Sequence, residues 1–238
     1  MTALLEIENL EAGYGPLRVL HGINLTITTG ERVGVLGLNG HGKTTLLRSI
    51  VGLVDWRRGD IRLEGESIMH SKTFELARRG VVLIPQGDAL FPGLTIRDNL
   101  DSGAYPSSAW RARQERRDRV CEIFPRLGER LNQVVGTLSG GERRMCSIGR
   151  GLMADARIYI VDEPSLGLGP GIAKGICDTL TSLDFQGGAL IIAEQNRHLI
   201  DGRVDRAVRM HGGEVTAEAA VADAAAADAA VIDSMGAH

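Results

Sequence analysis

Cysteine is scarce in this chain: Cys121, Cys146 and Cys177 are the only three in 238 residues, and no two are close in sequence. That spacing excludes a disulfide-stapled scaffold and a paired-cysteine metal site, and predicts buried thiols in a reducing compartment. Basic charge is not in excess either. The formal net charge of -3 leaves no global field to favour nucleic acid. Nowhere does the chain approach the roughly 18 consecutive apolar residues that a membrane span needs. The start, Met1-Thr-Ala-Leu-Leu-Glu, lacks a basic segment followed by an apolar run, so no secretory signal is predicted. The expectation is a cytoplasmic chain that reaches the membrane only through a partner.

What is present reads as a folded α/β chain. The composition, 43% apolar and 24% charged, is that of an ordered protein, and the length suits one large domain with a small inserted lobe. Leu4 to Leu10 alternates apolar and polar residues, and Val19 to Ile27 reads as a second strand. Val33 to Leu36 is a short β-branched run fit for a buried strand. Glycines follow, and from Lys43 to Leu53 the residues Leu46, Leu47, Ile50 and Leu53 fall at helical spacing. Gly59 to Gly65 suggests a strand, Thr73 to Arg79 a helix, and Val81 to Ile84 another buried strand. Ser107 to Phe124, bounded by Pro106 and Pro125, is rich in helix formers. Ser139 precedes a helix from Gly140 to about Met153; strands at Ile158 to Val161 and Leu190 to Ala193 flank a helix near Ile172 to Leu183. Such alternation predicts a parallel sheet. Residues 1–87 and 133–213 are expected to form the core and 88–132 a helical subdomain. The Ala-rich tail, 214–238, has no Lys or Arg and reads as a weakly amphipathic helix.

Gly37-Leu-Asn-Gly-His-Gly-Lys-Thr44 fills every fixed position of a phosphate-binding loop. Glycines let the backbone curl so that successive N–H groups face one concavity, and the helix that follows favours anions at its N-terminus. Lys43 supplies a charge for the β- and γ-phosphates, and the Thr44 hydroxyl can ligate Mg2+. The expected ligand is therefore ATP with Mg2+, held by Gly37, Asn39, Gly40, His41, Gly42, Lys43, Thr44 and Thr45. Ile158-Tyr-Ile-Val-Asp-Glu163 is an apolar strand tipped by two carboxylates, and strand ends are where a parallel sheet presents ligand groups. Asp162 is expected to hold the metal and Glu163 to act as general base on water. Leu138-Ser-Gly-Gly-Glu142 stands some twenty residues ahead of that strand. Ser139 can cap the next helix, while Gly140 and Gly141 allow close approach of backbone N–H groups to an anion.

With these three segments in order, the chain resembles the ATP-binding cassette (ABC) ATPases, whose signature is this LSGG segment. The resemblance spans about Leu4 to Gly213 and implies a P-loop nucleotide-binding domain with a mixed sheet core and an inserted helical lobe. It also implies head-to-tail pairing with a second cassette, identical or related. In that pairing Ser139, Gly140 and Gly141 serve the partner's nucleotide. Gln86 matches the family's glutamine loop, touching Mg2+ or the attacking water and sensing a transmembrane permease. Tyr14 matches the aromatic that stacks on adenine; from the residues alone it is equally a core or strand-end position. Two positions depart from the broad pattern: Gln195 stands where the switch histidine is usual, and Gly169 where an aspartate is usual. A glutamine there can hydrogen-bond a phosphate oxygen but cannot be cationic. His41 replaces a commoner Ala, and its side chain is expected to point away from the phosphates.

The departures are themselves a pattern. DEPSLGLGP from Asp162, EQN from Glu194, Leu83-Ile-Pro-Gln-Gly and Leu90-Phe-Pro-Gly-Leu-Thr resemble one subgroup: the second ATPase subunit of branched-chain amino acid importers and their urea or amide relatives. That implies uptake through a permease fed by an extracytoplasmic solute-binding protein, with the chain peripheral on the inner face of the membrane. A non-transport ABC factor acting on ribosomes or DNA is the rival; such proteins usually carry tandem cassettes or a long coiled-coil insertion, and neither is here. Intact Lys43 and Glu163 count against a regulatory module that has lost catalysis. His198 reads as a surface helix residue. The run Arg111, Arg113, Arg116, Arg117 and Arg119 is interleaved with Glu115 and Asp118. It reads as a solvated helix face, or alternatively as a surface near anionic lipid or an acidic permease loop. It has no aromatic interleaving of the nucleic-acid-binding kind.

Overall fold

The computed structural model describes residues 2–105, 107–154 and 156–220. Two sheets form. The smaller is antiparallel, in the order β2-β1-β4-β5, from β1 (Ala3–Tyr14), β2 (Leu17–Thr28), β4 (Trp56–Leu63) and β5 (Glu66–Ser67). The larger runs β10-β9-β3-β8-β7-β6, from β3 (Arg32–Leu36), β6 (Val81–Ile84), β7 (Ile158–Asp162), β8 (Ala189–Glu194), β9 (Arg206–His211) and β10 (Glu214–Ala220). Five neighbouring strands, β9-β3-β8-β7-β6, are parallel, and β10 closes one edge antiparallel.

Period-two alternation sorts the larger sheet's side chains into two cores. Ile158 and Ile160 of β7, with Ile191 and Ala193 of β8, face the smaller sheet. Between the two sheets lies α1 (Lys43–Ile50), whose Leu46, Leu47 and Ile50 are fully buried there. Tyr159 and Val161, with Leu190 and Ile192, face the opposite way. They pack against α7 (Gly140–Leu152) and α8 (Pro170–Ser182), and this second core extends to α3 (Ile96–Gly103), α5 (Arg113–Ile123) and α6 (Pro125–Gly128). A short α2 (Thr73–Arg78) precedes β6, and α4 (Ser107–Arg111) precedes α5. Helices α3 to α6 all fall within residues 88–132. The continuous helix expected over Ser107 to Phe124 is two, interrupted at Ala112. Arg117 of α5 is buried and reaches Asp101 of α3 at 2.6 Å.

The tail is corrected. Glu214–Ala220 is a strand, not a helix. The reason is the pair Gly212-Gly213, both at positive φ (55° and 82°), the geometry of a two-residue hairpin turn. It folds Glu214 back opposite His211, and pairing along β9 outweighs the helical preference of the alanines. The rest of that tail, 221–238, lies outside the described residues. No helix among those described is long and apolar enough to cross a membrane.

Candidate active site

Four loops leave the carboxyl ends of adjacent parallel strands, and those after β3, β6 and β7 converge on one cleft. After β3 the chain turns through Gly37 to Gly42, the last of these at φ 95°, a conformation open to glycine, and enters α1 at Lys43. After β6 comes Gln86, after β7 Glu163, and after β8 Gln195. Asn39, Gly40, Gly42, Lys43, Thr44, Thr45, Gln86 and Glu163 line one cleft of about 470 Å3. Val19, in β2, is the remaining wall residue. Sequence reading took Val19 only as a strand residue; its signal was position, a β-branched side chain shortly after the Tyr14 hairpin.

The polar atoms in this cleft are tightly connected. Lys43 Nζ lies 2.9 Å from Glu163 Oε1 and donates to the carbonyls of Gly37 (2.8 Å) and Leu38 (3.2 Å). Thr44 Oγ1 donates to Asp162 Oδ1 at 3.2 Å, and Gln86 Nε2 to Glu163 Oε2 at 3.4 Å. Burial raises the Asp162 pKa above the ordinary carboxylate value; the Thr44 hydrogen bond opposes this and the Glu163 charge adds to it. Glu163 itself sits at φ 43°, a left-handed conformation unusual for a non-glycine residue, held by its N–H donating to the Ala193 carbonyl at 3.0 Å. This left-handed turn places the Glu163 carboxylate in the cleft wall.

Other expected residues lie elsewhere. Tyr14 is half-buried at the β1–β2 hairpin, and Gln195 is exposed after β8; neither lines the cleft. Ser139 caps α7 in a reciprocal capping box, its N–H and hydroxyl donating to Glu142 and its Oγ accepting from the Glu142 N–H. Ser139 and Gly140 are exposed and outside this chain's own cleft. The His41 ring turns to the Met210 carbonyl (Nδ1 at 3.2 Å) and packs edge-on against His211. His198 is exposed on a short 3-10 turn.

Two buried groups escaped the sequence reading. Arg144 of α7 donates to the carbonyls of Pro85, Gly87, Asp162 and Pro164. Glu194 accepts from the N–H and hydroxyl of Ser165. A signal existed for Arg144: with Gly141 and Ile148 it falls at the three- and four-residue spacing of the helix's buried face.

The sequence pattern described as "ABC transporter" matches residues 20–166. A high-affinity branched-chain amino acid transport ATP-binding protein of Pseudomonas aeruginosa, BraG, is 35% identical over 212 residues, 89% of this chain and 91% of that protein. A probable branched-chain amino acid transport ATP-binding protein of Archaeoglobus fulgidus, LivF, is 34% identical, covering 81% and 82%. The ADP conformation of the ATP-binding cassette MJ1267 superposes with a TM-score of 0.83 at 24% identity, over 99% of this chain and 100% of that one, which speaks to the fold.

Proposed function

The chain belongs to the ABC transporter family, as one of its ATP-hydrolysing cassettes; from that premise we propose that it powers uptake of branched-chain amino acids, or related small polar solutes, through a membrane permease. The observation that carries the motor role is the convergence of Lys43, Thr44, Gln86 and Glu163 on one cleft, with Asp162 hydrogen-bonded to Thr44 behind it. The substrate class rests on the similarity to the BraG and LivF proteins, which extends over most of each chain.

In this reading the backbone N–H groups from Gly37 to Thr44 hold the β- and γ-phosphates, and Lys43 exchanges its contact with Glu163 for phosphate oxygens. Thr44 and Asp162 are the metal ligands. A hydroxyl and one carboxylate within hydrogen-bond reach, completed by phosphate and water oxygens, fit the sparse protein ligation that Mg2+ accepts. An ion held by these residues would supply positive charge to offset that developing on the phosphates. Glu163 takes a proton from water, and Gln86, hydrogen-bonded to it, orients that water. Ser139 and Gly140, exposed and away from their own cleft, serve with the buried Gly141 the nucleotide of a second cassette. Gln195 hydrogen-bonds a phosphate oxygen, and Tyr14 stacks on adenine.

The permease seats in an apolar groove of about 330 Å3 between the core and the helical lobe. Its walls include Leu53, Ala77, Leu83, Pro85 and Tyr105, and Pro85 directly precedes Gln86. Leu53 and Tyr105 are 49% and 58% exposed. The one charged wall residue is Arg150, so the groove suits an apolar helical segment bearing an acid. Membrane attachment at the inner face follows from that contact, with a solute-binding protein acting on the permease's far side. The test is uptake of labelled leucine, isoleucine and valine by proteoliposomes holding the chain and its permease. ATP-dependent accumulation is expected; ATP turnover without uptake of any of the three would overturn the substrate assignment.

A further inference from the structure

Arg144 is 3% exposed, yet no carboxylate bonds to it. Its fork is spent entirely on backbone. Nη1 donates to the carbonyls of Pro85 (2.8 Å) and Gly87, the two residues on either side of Gln86. Nη2 donates to Asp162 (3.0 Å) and Nε to Pro164 (3.2 Å), the two residues on either side of Glu163. Five residues upstream on the same chain is Ser139, the N-cap of α7. A buried cation costs free energy unless it is well solvated by its surroundings. Burial lowers the guanidinium's pKa, while Asp88, Asp162 and Glu194 draw it back up. A neutral residue would suffice for packing at this point; a planar donor array reaching two loops is what arginine alone supplies.

We propose that Arg144 is a positioning residue that locks the glutamine loop and the general-base loop to the helix carrying the signature segment, so that occupation of Ser139 by the partner's nucleotide sets the geometry of Gln86 and Glu163 in this chain's own cleft. This rests on the ATPase reading above and assigns it a path between the two half-sites. Arg144 does not line the nucleotide cleft. Its removal therefore acts on turnover through the orientation of Gln86 and Glu163, and leaves the phosphate loop intact.

The full-length chain with Arg144→Lys, which keeps the charge and loses the fork, and with Arg144→Gln, which loses the charge, separates the contributions. Both are expected to bind a fluorescent ATP analogue within about threefold of the wild type, while kcat falls by roughly 10- to 100-fold, as misplacement of catalytic groups by an ångström does. Arg144→Lys with wild-type kcat, or variants in which kcat/KM falls only through loss of nucleotide binding, would overturn the assignment. A wild-type chain without Mg-ATP turnover would instead overturn the ATPase reading, so the two failures are distinct. A second measurement needs no variant. In wild-type protein, amide hydrogen exchange on adding the ATP analogue is expected to slow together over residues 85–88, 139–144 and 162–165. Slowing confined to the phosphate loop would overturn the coupling.

Discussion

Lys43 and Glu163 are ion-paired at 2.9 Å, and both are almost wholly buried, at 3% and 5% exposure. In the proposed mechanism, the cation assigned to the phosphates and the carboxylate assigned to water thus hold one another. A buried pair of this kind adds little net stability, but each partner becomes expensive when the other is removed. On that proposal, phosphate oxygens would compete with Glu163 for Lys43, and nucleotide binding would release the base as it engages the cation.

Replacing Glu163 by Gln removes the proton acceptor while keeping size and hydrogen-bonding reach. Turnover is expected to fall at least 100-fold, with ATP affinity retained and ATP-bound dimers accumulating because the shared nucleotides are not cleaved. Phosphate release, analogue titration and sizing chromatography with ATP check this. Turnover within tenfold of wild type would end the assignment of Glu163 as base.

Lys43→Ala strands Glu163 in the interior. The nucleotide-free chain is expected to lose about 3 kcal/mol in urea unfolding, and ATP affinity to fall at least tenfold. The double variant Lys43→Ala/Glu163→Gln should unfold at higher urea than Lys43→Ala alone, because the stranded charge is gone. Strict additivity of the two single losses would contradict the pairing.

Leu53 offers a clean test of the permease groove. It is half-exposed, so Leu53→Glu is expected to leave folding and nucleotide affinity unchanged while placing a charge on an apolar wall. Co-purification with the permease should drop at least tenfold, the cost of burying an unpaired carboxylate. Retained capture at wild-type level would move the contact elsewhere.

The sequence spoke clearly wherever one residue's chemistry or a strict period carried the message. Val33 to Leu36 and Ile158 to Val161 are strands because their runs are short and apolar; the first leads through the glycine loop to Lys43, and the second ends at Asp162 and Glu163. Glu214–Ala220 misled because alanine content argues for helix, whereas pairing with β9 is a long-range gain that composition does not show. Glu194 was illegible for a related reason, and Arg144 showed only its place on the buried face of its helix. Their partners are main-chain atoms or a serine that only the topology brings near. Charged residues also read as surface by default.

Glu194 carries the pH prediction. It is 1% exposed at the end of β8 and accepts from Ser165, whose N–H lies 3.1 Å from Oε1 and whose hydroxyl lies 2.9 Å from Oε2. Through Ser165 it pins the loop that follows Glu163 to the strand that precedes Gln195. Burial raises its pKa above the ordinary 4.5, and Glu163 adds to the rise; the bonds from Ser165 and the Gln195 N–H oppose it. Between the unfolded and the folded value the native chain holds more protons than the unfolded one. Stability therefore declines as pH rises through that window and is level above it, as far as this residue is concerned. Glu194→Gln keeps a donor and an acceptor for Ser165 and cannot ionise. Its advantage over wild type in urea unfolding should thus grow from about pH 4 upward and then become constant. Parallel stability curves for the two proteins would show that Glu194 does not titrate above its ordinary value. Glu194→Ala, by contrast, leaves the Ser165 N–H unpaired. It is expected to cost roughly 1–3 kcal/mol and to lower turnover by loosening the backbone that holds Glu163 at its left-handed φ.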